Sequence, residues 1–223
     1  MAAFLFGLAT TLESAERFDM QVRGDFFAGM AGNKEAMERA MTKTEAVLAA
    51  DPKHAEARVW YGGGLMSMAG QAFQKGDPHT GMSLFARGQK EMDDAVAQQP
   101  DNLAVRIPRG AVLLSAGRSI AQRNPEHGNP LIAKALTDYE FAYEHHKDKL
   151  TEIGSHPAGE LLFGLADANS RLGNTERAAE FFDRIAALLP DTPYAKRAAL
   201  WKETKSLPLE HTRCVGCHVA GVK

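Results

Sequence analysis

The sequence has very few cysteines and no long apolar runs. These two absences argue against a disulfide-stabilised fold and against a membrane-spanning helix. Only two of the 223 residues are cysteines, and a disulfide between them would close a very small, strained loop. No apolar run approaches the roughly 20 residues that span a membrane. The formal net charge is −2, so the chain lacks the basic excess of nucleic-acid-binding proteins. The remaining composition, 44% hydrophobic and 24% charged, is ordinary for a soluble globular protein.

Common catalytic motifs are missing as well. The sequence contains no G-x-S-x-G, no H-E-x-x-H and no phosphate-binding glycine loop. Glutamates such as Glu35, Glu38 and Glu45 follow a helical face and are interpreted as solvated surface. We therefore expect a protein that is not an enzyme.

Helical periodicity dominates the chain from about residue 12 to residue 205. Apolar side chains recur at spacings of three and four residues, and glycine, asparagine and proline interrupt them. Helices are predicted at about 14–31, 34–50, 53–75, 79–98, 103–123, 130–149, 157–172, 175–189 and 193–205. No segment has the alternation of a strand, so the predicted fold class is all-α.

The predicted helices form about four pairs and a closing helix. The second helix of each pair ends near Pro52, Pro100, Lys147 and Pro190, at intervals of about 48, 47 and 43 residues. Such regular spacing indicates a stack of antiparallel helix hairpins, a helical solenoid. Within the third predicted helix, the run Gly62-Gly63-Gly64 costs roughly 1 kcal/mol per glycine relative to alanine. The run therefore predicts that another helix, or else a ligand, approaches closely there.

The fourth pair resembles a tetratricopeptide repeat. The matching residues are Leu162, Leu165, Ala166, Asn169, Ala178, Phe182, Ile185 and Pro190. Weaker matches lie at Ala40, Val47, Pro52, Met92, Ala95, Pro100, Ala135, Tyr139 and Ala142. The resemblance covers roughly residues 12–205, although the period is longer than the family's 34 residues. It implies a right-handed stack with a concave partner-binding surface and assigns no catalytic residue.

Both cysteines belong to the motif Cys214-Val215-Gly216-Cys217-His218. The pattern C-x-x-C-H is the attachment signature of a c-type haem. Two thiols at this spacing form thioethers to one porphyrin, and the histidine that follows binds the iron. The sequence therefore predicts one covalent haem c at Cys214 and Cys217, with His218 as the proximal iron ligand.

Other interpretations of the motif remain open. A zinc site would use Cys214 and Cys217 with His211 and His218, although adjacent Cys217 and His218 are poorly placed to reach one tetrahedral metal. A redox dithiol is normally found beside a βαβ pattern, which this sequence lacks. The chain also resembles class II cytochromes c in helicity and in the position of its motif. It is longer than they are, and its motif follows the proline-broken segment Leu207-Pro208-Leu209.

The ligand on the other side of the iron decides the chemistry. A methionine or histidine there gives an electron-transferring iron, and an empty position allows a small gas or peroxide to bind. The candidates are Met66, Met68, His145, His146, His156 and His211, or a residue of a neighbouring molecule. The sequence favours none of them, so the sixth ligand is left unassigned.

The predicted organisation has three parts: an apolar N-terminal segment at 1–11, the helical solenoid at 12–205 and a haem-binding tail at 206–223. Haem c attachment implies an extracytoplasmic compartment, periplasmic or extracellular, and a leader removed before residue 1. The N-terminal segment itself lacks the basic start of a complete signal peptide. Its apolar residues and the haem-bearing end would dock either on this chain or on adjacent copies, and docking on adjacent copies would give a homo-oligomer or a head-to-tail filament.

These expectations combine into a single-haem c-type cytochrome that passes electrons to a redox partner protein. Two alternatives belong to other classes. One is a tetratricopeptide adaptor whose tail holds zinc, and the other is a peroxidase-type haem enzyme with an open iron site.

Overall fold

A computed structural model of the chain describes residues 17–207, and over this range the protein is entirely helical. The helices are α1 (Phe18–Met30), α2 (Lys34–Ala50), α3 (Ala55–Gln74), α4 (Pro78–Gln98), α5 (Leu103–Ala121), α6 (Pro125–His146), α7 (Ser155–Arg171), α8 (Thr175–Leu188) and α9 (Pro193–Thr204). No strand occurs in this part of the chain. The predicted all-α class is confirmed.

The helices pack as consecutive antiparallel pairs. The most extensive contacts join α3 to α4, α5 to α6 and α7 to α8, and α1 packs on α2 in the same way. Each pair also contacts the next, since α2 lies against α3, α6 against α7 and α8 against α9. Four pairs and a closing helix are therefore stacked in chain order, as in a helical repeat.

This alternation gives the array two ends. The four turns within pairs, at residues 31–33, 75–77, 122–124 and 172–174, lie at one end with the last residues of α9. The connections between pairs, at 51–54, 99–102, 147–154 and 189–192, lie at the other. We call these the hairpin end and the linker end.

Local sequence signals set most of the helix boundaries. The side chains of Asn33, Asp77 and Asn102 accept hydrogen bonds from backbone N–H groups in the first turns of α2, α4 and α5. Gly76 and Gly173 follow α3 and α7 with φ of 79° and 83°, a conformation that glycine adopts without steric cost. These residues explain why the sequence predicted the breaks correctly.

The predicted start of one helix is wrong. Helix α6 begins at Pro125, five residues before the predicted start, because proline fits the first turn, where its missing N–H has no helical partner. Pro130 then lies inside the helix. Helix α1 begins at Phe18, directly after the N-cap residue Arg17, and its predicted start at residue 14 lies outside the described residues.

The glycine run of α3 lets neighbouring helices approach closely, and its first residue, Gly62, packs against α4. Gly62, Gly63 and Gly64 are all buried. A Cβ atom on Gly62 would lie 2.7 Å from the carbonyl oxygen of Gly88, and one on Gly88 would lie 2.8 Å from the carbonyl oxygen of Gly62. The two backbones meet directly, so the close helix approach that the sequence predicted is confirmed.

We expect Gly88→Ala to lower the free energy of unfolding by about 1–3 kcal/mol, because the new methyl group must push α3 and α4 apart. Gly70→Ala is the matched control within α3. Its Cβ would meet nothing within 4 Å, so the helix propensity of alanine should raise stability by up to about 1 kcal/mol. Urea denaturation followed by circular dichroism measures both changes. Equal effects of the two substitutions would contradict the packing described here.

Buried ion pairs form a second repeat that the sequence analysis did not identify. Arg58 donates to the carbonyl oxygen of Pro52 at 2.6 Å and to Glu91 at 2.6 Å. One repeat later, Arg106 donates to the carbonyl oxygen of Pro100 at 2.5 Å and to Asp138 at 2.9 Å. Each arginine therefore joins the end of the preceding pair to both helices of its own pair. We call these two arginines the repeat clamps.

Asp138 is the most deeply paired of these acids. Its side chain is fully buried, and it also accepts two hydrogen bonds from Arg109, both at 2.8 Å. Arg109 reaches Asp93 at 3.0 Å, and Asp93 binds Lys134 at 2.6 Å. A continuous charge network thus links α4, α5 and α6.

Within residues 17–207, no helix combines the length and apolar character needed to cross a membrane.

Candidate functional site at the root of the tail

The residues that carry the haem prediction lie outside the described part of the chain. Cys214, Cys217 and His218 belong to residues 208–223, as does His211, and the N-terminal segment 1–11 lies outside it as well. The haem attachment, the iron ligand and the three-part division of the chain therefore stay predictions. The structure does describe the point from which the tail starts.

The chain turns sharply after α9 and returns to the core. Lys205 adopts a left-handed conformation with φ of 55°, and its N–H binds the carbonyl oxygen of Trp201 at 2.7 Å. The hydroxyl of Thr204 accepts a hydrogen bond from the N–H of Ser206 at 3.2 Å, which fixes the next residue. Leu207 is then buried, with 8% of its surface exposed. The tail consequently starts from an anchored residue.

Two arginines and one buried carboxylate hold this anchored residue. Arg171 donates to the carbonyl oxygen of Leu207 at 3.2 Å and to both carboxylate oxygens of Asp167, at 2.9 and 3.1 Å. Arg118, from α5, binds the same carboxylate at 2.5 Å. The Asp167 side chain is 1% exposed, so these charge-assisted bonds are shielded from water. We call Arg118, Asp167, Arg171 and Leu207 the tail anchor.

Trp201 closes the core beside the tail anchor. Its ring stacks on Phe182 with centroids 4.6 Å apart, and its indole N–H donates to Ser170 at 2.7 Å. The ammonium group of Lys205 lies 4.6 Å from the centre of the ring on the side of the tail. Helix α9 is thereby fixed against α7 and α8 at the hairpin end.

The three candidate histidines of the described chain lie at the linker end, away from the tail anchor. The Nδ1 atoms of His145 and His146 lie 2.8 and 2.9 Å from the carbonyl oxygens of Phe141 and Ala142. Because a carbonyl can only accept, Nδ1 carries a proton in both rings. His156 pairs through Nδ1 with the hydroxyl of Tyr194 at 2.8 Å. These histidines lie at the linker ends of α6 and α7, whereas the tail anchor lies toward the opposite, hairpin end of α7.

The two candidate methionines, Met66 and Met68, are core residues of α3. Met66 is 7% exposed, and Met68 is partly buried against the same cluster. One histidine that the sequence analysis did not single out, His127, is exposed in the first turn of α6 and lies at the hairpin end with the tail anchor. Only the alternation of the helices places it there, and no sequence motif signals it.

A polar cleft of about 400 Å³ lies between α2, α3 and α4. Its walls include Tyr61, Arg58, Arg87 and Glu91, and burial raises the pKa of the Tyr61 hydroxyl. Arg58 pairs with Glu91, and Arg87 lies over the Tyr61 ring at 5.2 Å. The charged groups of the cleft thus interact mainly with one another. Between residues 17 and 207, no three histidine, cysteine, aspartate or glutamate side chains converge to hold a metal ion.

Comparison of the chain with protein families, with curated proteins and with solved structures gives no match. The functional proposal therefore depends on the residues of this chain alone.

Proposed function

We propose that the protein is a single-haem c-type cytochrome, in which a tetratricopeptide-like helical array carries a covalent haem on its C-terminal tail and passes electrons to a redox partner protein. One observation carries the proposal: both cysteines of the chain stand in a complete C-x-x-C-H motif. When bound, the haem supplies a one-electron iron couple. The array holds and presents the segment that bears it.

The tail anchor fits this role. Cys214 lies seven positions after Leu207, so the first thioether lies at most about 25 Å from the anchored residue. The haem would consequently stay within reach of α5, α7 and α9, whichever conformation the tail adopts. The tail anchor thereby limits how far the haem can move from this surface, which restricts the positions in which a partner would meet the haem edge.

Burial supports the tetratricopeptide-like part of the proposal. All of the helical residues that carry the resemblance in the fourth pair are 2% exposed or less: Leu162, Leu165, Ala166, Asn169, Ala178, Phe182 and Ile185. Ala166 and Ala178 are small at the contact between α7 and α8, where the family pattern places small residues. The same side chains therefore have the packing role that the resemblance implies.

Spectroscopy and mass spectrometry test the proposal on the full chain, produced in a host that attaches haem c. We expect a Soret band and a covalent mass gain of one haem, and Cys214→Ser with Cys217→Ser should abolish both. His211→Ala is the matched control, because it should leave haem attachment intact yet would weaken a zinc site. One zinc per chain without a Soret band would overturn the cytochrome proposal.

Carbon monoxide distinguishes electron transfer from ligand chemistry. An electron carrier whose iron has both axial ligands should keep its reduced spectrum when the gas is added. A rapid spectral change would instead favour the enzyme alternative with an open iron site. Head-to-tail assembly has a separate test, since deletion of residues 1–11 should then reduce the particle size measured by light scattering.

A further inference from the structure

We propose that the haem-bearing tail, residues 208–223, docks on an uncharged outer face of α5. This face consists of Ile107, Ala111, Ser115 and Ser119, which are exposed at four-residue spacing along one side of the helix. Pro108 and Val112 flank it and are partly exposed. We call it the α5 face. The inference rests on the proposed function, because it assigns a docking place to the predicted haem.

The α5 face exists because the helix turns all its charged side chains inward. Arg106 and Arg109 bind the buried Asp138, and Arg118 binds the buried Asp167. The side chains of Arg109 and Arg118 are only 9% and 8% exposed. Arginine is mostly a surface residue. In α5 the arginines are instead buried, and uncharged residues occupy the exposed side of the helix.

Helices α2 and α8 show the usual arrangement. The exposed residues of α8 include Glu176, Arg177, Glu180, Asp183 and Arg184. The exposed residues of α2 include Lys34, Glu35, Glu38, Arg39 and Lys43. The first half of α4 also exposes uncharged residues, among them Met82 and Ser83, so what distinguishes the α5 face is that it is uncharged along the whole helix and lies on the helix that shares Asp167 with the tail anchor. An uncharged face of this kind offers contact area to an apolar partner.

The tail anchor identifies the occupant of this face. Arg118 of α5 and Arg171 share the carboxylate of Asp167, and Arg171 holds Leu207. The tail therefore starts beside the C-terminal part of α5. From Ser119 back to Ile107 the helix rises about 18 Å, and the seven residues before Cys214 extend up to about 25 Å. The first thioether can thus reach any point of the face.

The chemistry of the face suits a porphyrin ring. Small side chains at Ala111, Ser115 and Ser119 let a flat group approach the helix closely, and Ile107 and Val112 add aliphatic contact. A haem edge that lay over charged side chains would have to remove them from water at a cost in free energy. On the α5 face no such cost arises.

Isoleucine methyl signals of the full, haem-loaded chain test the docking. The chain has five isoleucines, at positions 107, 120, 132, 153 and 185. Because dipolar shifts from the iron fall with the cube of the distance, Ile107 on the α5 face and Ile120 next to Ser119 should shift most between the ferric and ferrous forms. Ile153, between α6 and α7, and Ile185, on α8, should shift least. The haem-free Cys214→Ser, Cys217→Ser chain supplies the reference positions.

A charge on the face provides the matched test. Ala111→Glu should displace the haem and reduce the Ile107 shift to the level of Ile153. Ala86→Glu is the control, because it places the same charge on an exposed alanine of α4 and should leave the Ile107 shift unchanged. Both substitutions lie at the surface, and circular dichroism verifies that both variants remain helical.

The outcomes separate this inference from the proposed function. A Soret band with the largest shift outside α5, at Ile132, Ile153 or Ile185, would overturn the docking and leave the cytochrome proposal standing. An Ile107 shift that Ala111→Glu does not reduce would overturn it as well. Absence of the Soret band would overturn both.

Discussion

Replacing Asp138 with alanine is expected to lower the free energy of unfolding by about 3–5 kcal/mol. The substitution removes the carboxylate that accepts one hydrogen bond from Arg106 and two from Arg109. Both guanidinium groups remain in the interior between α5 and α6, where water replaces the lost partner poorly. The cost comes mainly from burying charge without its counter-ion, rather than from the strength of the pair itself.

Asp183→Ala is the control for this prediction. Asp183 pairs with Lys202 at 2.5 Å, but its side chain is 66% exposed. A surface pair of this kind contributes about 1 kcal/mol or less. Urea unfolding of the two variants should therefore differ by several kilocalories per mole. Similar losses in both variants would show that the buried network does not carry the stability assigned to it.

Trp201→Ala is expected to cost about 3–5 kcal/mol, as is usual when a buried aromatic side chain is truncated. The change leaves a cavity beside Phe182 and leaves Ser170 without its indole donor. Because Trp201 holds α9 where the tail begins, we also expect faster tryptic cleavage at Lys205. Thermal unfolding and limited proteolysis of the same samples measure the two effects.

Trp201→Phe separates the two contributions of this side chain. The phenyl ring retains most of the stacking on Phe182 and loses the hydrogen bond to Ser170, so the loss of stability should be clearly smaller. If the alanine and phenylalanine variants lost the same free energy of unfolding, the hydrogen bond of the indole N–H would contribute more to stability than the packing of the ring. Unchanged cleavage at Lys205 in both variants would contradict the role of Trp201 in fixing the end of α9.

The fold was largely predictable because short local sequence motifs set most of the helix boundaries. Gly76-Asp77-Pro78 and Gly173-Asn174 interrupt the helical pattern at two of the four turns within pairs, and the structure turns there. The start of α6 was missed because Pro125 and Pro130 both resemble helix breakers, although the first one opens the helix. Proline has this double meaning at every helix N-terminus.

The functional surface was predictable only in part. The C-x-x-C-H motif is complete in the sequence and needs no three-dimensional information to be identified. In contrast, Arg106 and Asp138 are 32 residues apart, and Arg118 and Asp167 are 49 apart. No local pattern indicates that these arginines point inward, so the sequence could not show that α5 presents an uncharged face or that the tail is anchored.

The repeat clamps bear on how such an array comes apart. A stack of hairpins tends to fray from its ends, one unit at a time, when the contacts between neighbours are weak. Arg58 and Arg106 each donate a hydrogen bond to the carbonyl oxygen of a proline at the end of the preceding helix pair. Unfolding of one helix pair therefore breaks hydrogen bonds of the neighbouring pair. We expect the first three pairs, α1 to α6, to unfold together in one cooperative transition.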